Sequence, residues 1–491
     1  MSQGMRVSYS LWPYSMVETR PMHNDKESPY TLTLLDDHLS LQVVQFSGHE
    51  ALNQPYRFDI EVIGLAPALN LERLLQQSAL LDLGQGQGIH GVLHSASCEH
   101  RGQGRVSYKL VLVPALQALD RYPSRRIFQH LSVPMILRQL LEEHDLPADS
   151  YRLELADGHY PLRPFCIQYE ETDLALLQRL CEEEGIHYHF EHRRDGHVLV
   201  LADDNMSFPQ EPLLMPFQGD EPGDGTTPVI SELFQRHDSQ AVYPRVAAKN
   251  RGIAIDEGAA NHAFSHTCVP RPSQEQRHRD QLERRDLQRM RCQQLQLHGK
   301  SNQGLLRSAR IVQIAEHPVP GFNDQWLVCQ ARHHGQQGSI LSQDSIARRY
   351  HNQFTAIPWS TVFRPPLDQA RPRIPGFQPA RVHGLPGQHA KQDDQGRLLV
   401  TFWPGREVDP KASTGLWLPV ALAMSPAPGE PSQLPMAGSD GWVSFLDSDP
   451  DRPVFCASGG QLRSPPAVRT DTRHSDTRLL LDWLINRTDP E

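Results

Sequence analysis

Residues 165–192, FCIQYEETDLALLQRLCEEEGIHYHFEH, constrain this chain more than any other stretch, because strand, capped helix and strand follow within 28 residues. Thr172 or Asp173 can accept hydrogen bonds from the first free helix N–H groups, which predicts a helix start there. Leu174, Leu177 and Cys181, with Leu176 and Leu180 beside them, make one apolar stripe at helical spacing. Gly185 is predicted to end the helix, since glycine tolerates the left-handed conformation that closes a last turn. Beyond it, Ile186, Tyr188 and Phe190 alternate with His187 and His189, the two-residue period of a strand.

The other 463 residues (491 − 28) allow three or more domains, each with its own core. Forty prolines and 33 glycines favour turns and short strands over long helices. Tyr56, Phe58, Ile60 and Val62 alternate with Arg57, Asp59 and Glu61, which reads as a half-buried strand. With further strands expected near 30–46, 91–94 and 108–113, residues 29–118 read as a first β-barrel domain. Residues 119–206 read as a helix-containing α+β domain, with a helix start at Ser132 before Val133 and Pro134. The Pro-, Gly- and acid-rich residues 207–228 read as a linker, 229–365 as a second β-barrel domain and 366–376 as a second linker. Residues 377–460 hold about five short strands, for which an OB-fold is the natural candidate. Residues 1–28 form a polar extension and 461–491 a short tail. The fold class is mainly β with some α+β.

Chemistry is harder to find. A formal net charge of −10 argues against a general nucleic-acid binder. Seven scattered cysteines without a CxxC pair fit reduced thiols better than a disulfide frame or zinc site. No stretch has the apolar length of a membrane span, and the N-terminus lacks the apolar core of a secretory signal. Gly86, Gly88 and Gly91 match GxGxxG, but Val92 and Leu93 favour a strand where the fingerprint needs a helix. His49-Glu50 opens like HExxH, but Asn53 stands where the second histidine belongs. His187 and His189 share a strand face, near His192 and His197, and two imidazoles so placed can hold a metal. An exposed polar strand face explains them equally well. The six arginines of residues 273–298 stand among Glu275, Asp280, Glu283 and Asp286, which reads as a solvated helix face. Phe402, Trp403, Trp417, Trp442 and Phe445 could line a nucleic-acid groove, but core packing is the favoured use. These residues predict no catalytic, cofactor or metal site.

Several motifs carry a family resemblance. Phe46-Ser47-Gly48-His49-Glu50 with Pro55-Tyr56-Arg57-Phe58, Arg126-Ile127-Phe128-Gln129 with Ser132-Val133-Pro134, and QYEETDLALLQRLCEEEGIHYHFEH resemble VgrG proteins, the spike proteins of type VI secretion. So do Asp394-Gln395-Gly396-Arg397 and Gly441-Trp442-Val443-Ser444-Phe445-Leu446, the latter running into Asp449-Pro450-Asp451-Arg452-Pro453. The resemblance implies a homotrimer: a hub of tandem β-barrels followed by OB-folds at the base of a spike. It implies Hcp-tube, PAAR-type tip and effector partners, the last with an adaptor, and no enzyme activity, cofactor or nucleic-acid ligand. The target membrane is touched only during injection. Such a protein is cytoplasmic until the contractile apparatus secretes it. The family usually continues into a long β-prism needle, whereas 31 residues follow Gly460 here, so a short needle and a truncation both stay open. In TRLLLDWLI, Leu479, Leu481, Trp483 and Ile485 alternate as a first needle strand would, and are expected partner contacts. A short helix is the competing reading. Among contractile machines, a phage-tail or extracellular-particle hub is the rival; a zinc hydrolase and an OB-fold nucleic-acid binder are rivals of other classes.

Overall fold

The computed structural model describes residues 30–456, apart from residues 38, 66–68, 85–87, 102–104, 220–227, 239–273, 339–347, 385–386, 405–414, 422–433. The chain divides into two compact units, Met1–Arg371 and Pro372–Glu491.

The first unit opens with β1 (Thr31–Leu34), β2 (Leu39–Ala51), β3 (Gln54–Leu65), the single-turn helix α1 (Leu71–Leu74), β4 (Ser78–Asp82), β5 (Gly88–Arg101) and β6 (Arg105–Val113). An insert follows: β7 (Ser124–Leu131), α2 (Val133–Glu143), β8 (Tyr151–Glu154), β9 (Arg163–Glu171), α3 (Asp173–Glu184), β10 (His187–His192) and β11 (His197–Ala202). The unit is completed by β12 (Leu213–Pro216), β13 (Ile230–His237), α4 (Gln274–Gln294), β14 (Leu295–Ser301), β15 (Ile311–Ala315), β16 (Gln325–Gln336) and β17 (Arg349–Pro358).

Two rings of strands share one 12-stranded sheet. The first runs β1-β4-β5-β6-β3-β2 and closes where β1 pairs with β2, Thr31 opposite Gln42 and Leu34 opposite Leu39. Closure removes the free edges that an open sheet would expose. Strand alternation fills the ring: Tyr56, Phe58, Ile60 and Val62 are buried while Arg57 and Asp59 face out. The second ring runs β13-β14-β17-β16-β15-β12 and returns to β13 by one parallel bridge, Phe217 to Ile230. Residues 207–228, read from composition as a linker, therefore include a strand of this ring. Met215 is fully buried there, an apolar anchor among prolines and acids.

Strand β16 joins the rings. Along one edge Ile311 of β15 faces its Leu327, and further on β2 takes over from Gln330 to Gln336. An irregularity between Val328 and Gln330 lets the strand bend at that hand-over. The insert has its own core, with Phe128, Ile136, Leu140, Leu177, Leu180, Tyr188 and Leu199 buried together. Its β10, β11 and β8 form a three-stranded sheet, and β7 pairs with β9.

The second unit is a six-stranded sheet of β18 (Phe377–Val382), β19 (Leu398–Phe402), β20 (Leu416–Leu418), β21 (Val420–Ala421), β22 (Asp440–Phe445) and β23 (Pro453–Cys456). Its order is β20-β19-β18-β22-β23-β21. Phe402 and Phe445 are buried, but Trp417 and Trp442 lie outward, 38% and 37% exposed, which corrects their assignment to the core. Each stands one strand position out of phase with the buried residues beside it.

Candidate functional site

The arrangement around α3 is the most densely bonded part of the insert, and the local sequence builds it. Thr172 Oγ1 accepts the Ala175 N–H at 3.2 Å, so threonine, not Asp173, caps the helix. Asp173 lies in the first turn, which favours a negative charge. Burial would raise its carboxyl, but hydrogen bonds from Gln168 and His144 and the Arg126 charge hold it below the ordinary Asp value. At the other end Gly185 adopts φ 68° and Ile186 N–H bonds back to Cys181 O at 2.8 Å.

Three arginines meet the last carbonyls of α3. Arg289 Nη2 donates to Glu182 O at 2.6 Å, Arg285 Nη1 donates to Glu184 O, and Arg364 Nη1 donates to Gly185 O at 3.1 Å. A helix C-terminus leaves these acceptors open and carries partial negative charge, so guanidinium groups satisfy both needs. Arg364 Nη1 also reaches Asp203 O at 2.6 Å, and Arg289 Nε donates to Pro365 O at 2.7 Å. The carboxylate of fully buried Asp203 takes Tyr160 O–H at 2.9 Å and Arg285 Nη2 at 3.4 Å. Glu184, also buried, meets Arg163 at 2.7 Å and His278 at 2.8 Å. Burial raises its carboxyl, and those two partners bring it below the ordinary Glu value.

The solvated-face reading of α4 is therefore corrected. Gln281, Arg285, Arg289 and Cys292 are buried at helical spacing, while Arg277, Arg279, Arg284 and Arg291 stay exposed. The buried face is itself cationic, so charge counting hides it; the four- and three-residue spacing is the signal that remains. Sequence reasoning also missed Arg364, Asp203 and Asn53. Asn53 turns the β2–β3 hairpin at φ 60°, a conformation asparagine tolerates. Its Nδ2 donates to Ile186 O at 3.1 Å, and its N–H donates to Tyr188 O at 3.0 Å.

His187 and His189 are 0% and 1% exposed, which overturns the exposed-face explanation. His187 Nε2 lies 3.1 Å from Ser207 Oγ, and the ring stacks on Phe208 at 4.6 Å. Burial holds His187 well below its usual range and His189 down at about 4. Among the described residues no group of three or more His, Cys, Asp or Glu is placed to hold a metal ion. Gly88 and Gly91 sit within strand β5, without the helix that a phosphate cradle requires. Glu50 accepts Ser308 N–H at 3.0 Å and faces His333 at 3.1 Å, a buried structural pair. Leu479, Leu481, Trp483 and Ile485 lie outside the described residues. The ion pairs and caps around α3 tie the insert to α4 and to the segment after β17.

Paired strand rings with a clamped helical insert make up the first unit, and a smaller β unit follows. The chain belongs to the phage tail baseplate hub (GPD) family, whose profile matches residues 49–339. Its homologues include VgrG proteins of type VI secretion. It is 35% identical over 449 residues to the type VI secretion system spike protein VgrG4b of Pseudomonas aeruginosa, covering 87% of this chain and 55% of that one. It is 37% identical over 439 residues to VgrG5 of the same organism, covering 84% and 55%. The chain thus spans just over half the length of these relatives. Its fold is similar to that of an E. coli type VI secretion component described as resembling the T4 bacteriophage tail proteins gp27 and gp5. That match has a TM-score of 0.64 at 24% identity, over 84% of this chain and 96% of the other.

Proposed function

We propose that this chain is the hub and spike base of a type VI secretion spike. Three copies assemble around one axis, cap the Hcp tube, seat a PAAR-type tip and carry effectors into a target cell when the sheath contracts. The second unit serves as the OB-fold base of the spike. The observation that carries this reading is identity of 35% and 37%, over most of this chain, to two proteins named as type VI spike proteins. The family description alone suits a phage tail hub equally well, and those relatives favour secretion. The role is structural: the chain grips and transmits force, without bond chemistry of its own.

Sedimentation of the purified protein at micromolar concentration tests the trimer. The expected species has three times the 55.6 kDa chain mass. A monomer with no larger species contradicts it.

A further inference from the structure

Three imidazoles line the place where the insert meets the first ring: His90 on β5, His192 on β10 and His197 on β11, whereas His187 and His189 lie on the opposite face of β10, against Ser207 and Phe208. Two of them bridge the elements. His197 Nε2 accepts the Ala115 N–H at 3.1 Å, so in the neutral ring its proton sits on Nδ1. That proton is donated to His90 Nδ1, 2.9 Å away. Both tautomers are thereby set, and a further proton on either ring must break one of these bonds. Tyr56 of β3 packs into the same place, its ring 4.9 Å from His192 and 5.0 Å from Phe190, with its hydroxyl on His90 O. His90 Nε2 and His192 Nδ1 have no hydrogen-bond partner among the described residues.

The charges facing the cluster offer little relief to an imidazolium. Arg307 faces His192, and His90, His192 and His197 oppose one another. Asp195 favours charge on His90. Glu50 faces Arg307, together with Tyr350, and is itself engaged by His333.

We propose that this seam is an acid-released latch, holding the β10–β11 hairpin against β5 while the imidazoles are neutral and letting go when they take up protons. Burial holds His197 at about 4, whereas a freed imidazole titrates near 6.5. A histidine lowered in the closed form adds stability that is complete above about pH 6.5 and is lost as pH falls toward 4. Each such imidazole raises the opening equilibrium roughly thirtyfold between pH 6.5 and 4.5.

Hydrogen exchange of the purified full chain, corrected for intrinsic rates, reads this out. Amides of β5, β10 and β11 are expected to lose protection by thirtyfold or more over that interval, while those of β17 keep theirs. His197→Phe removes the imidazole that bridges to His90, and is expected to lessen the pH dependence about thirtyfold. Unchanged protection at the seam, or equal loss in β17, overturns the latch. Imidazole resonances of the native protein give a check independent of any variant. His90, His192 and His197 are expected to stay neutral at pH 6, and titration of any of them near 6.5, or stoichiometric zinc on the cluster, overturns it.

Discussion

At the scale of single residues, the C-terminus of α3 shows how a buried charge is held in place. Arg289 satisfies carbonyls from two separate segments, Glu182 and Pro365, and lies 8% exposed. Arg289→Ala leaves both acceptors buried and opens a gap, and is expected to cost about 3 kcal/mol of stability. Urea unfolding followed by circular dichroism measures it; a loss below about 0.5 kcal/mol would show the clamp to be ornamental. Little of this was legible beforehand. Thr172 and Gly185 announce their roles because capping depends on the residue's own backbone and hydroxyl. Arg285, Arg289 and Arg364 do not, since their partners lie about 76 to 179 positions away along the chain and an arginine reads the same buried or exposed.

At the scale of elements, periodicity decided what could be read. The α3 stripe and the β3 alternation appear in the structure as the sequence predicts, because each has one apolar and one polar face. The β10 hairpin misled: its histidines look polar, but both faces of its sheet are covered, so His187 and His189 are as buried as Tyr188. Strand β12 was hidden because four residues in a proline-rich stretch carry too short a pattern, and its pairing with β15 spans some hundred residues. Leu177, fully buried in the insert core, is the sharpest test of that element. Leu177→Asp places an unpaired carboxylate among leucines, costing several kcal/mol. Expression of this variant should give insoluble or molten protein; a cooperative, native-like melt would contradict the packing described.

For the whole molecule, the order of motifs outweighs any one of them. GxGxxG and the histidine pairs each point to chemistry alone, yet the first ring takes up Gly88 and Gly91 within β5, and the insert sheet buries His187 and His189 as packing parts. The closed rings themselves could be anticipated only as barrels, since register and closure depend on pairings such as β1 with β2 and β16 with β2 that no local window contains. The clamped helix, shared strand β16 and paired edges are the stiff joints that the proposed spike role calls for. The central claim is that this chain is an indispensable structural part of a secretion spike. The most direct measurement is Hcp in the culture medium of a strain in which this chain is the sole spike protein. Deletion should abolish extracellular Hcp, and wild-type protein, but not Leu177→Asp, should restore it. Undiminished Hcp release from the deletion strain would contradict the account.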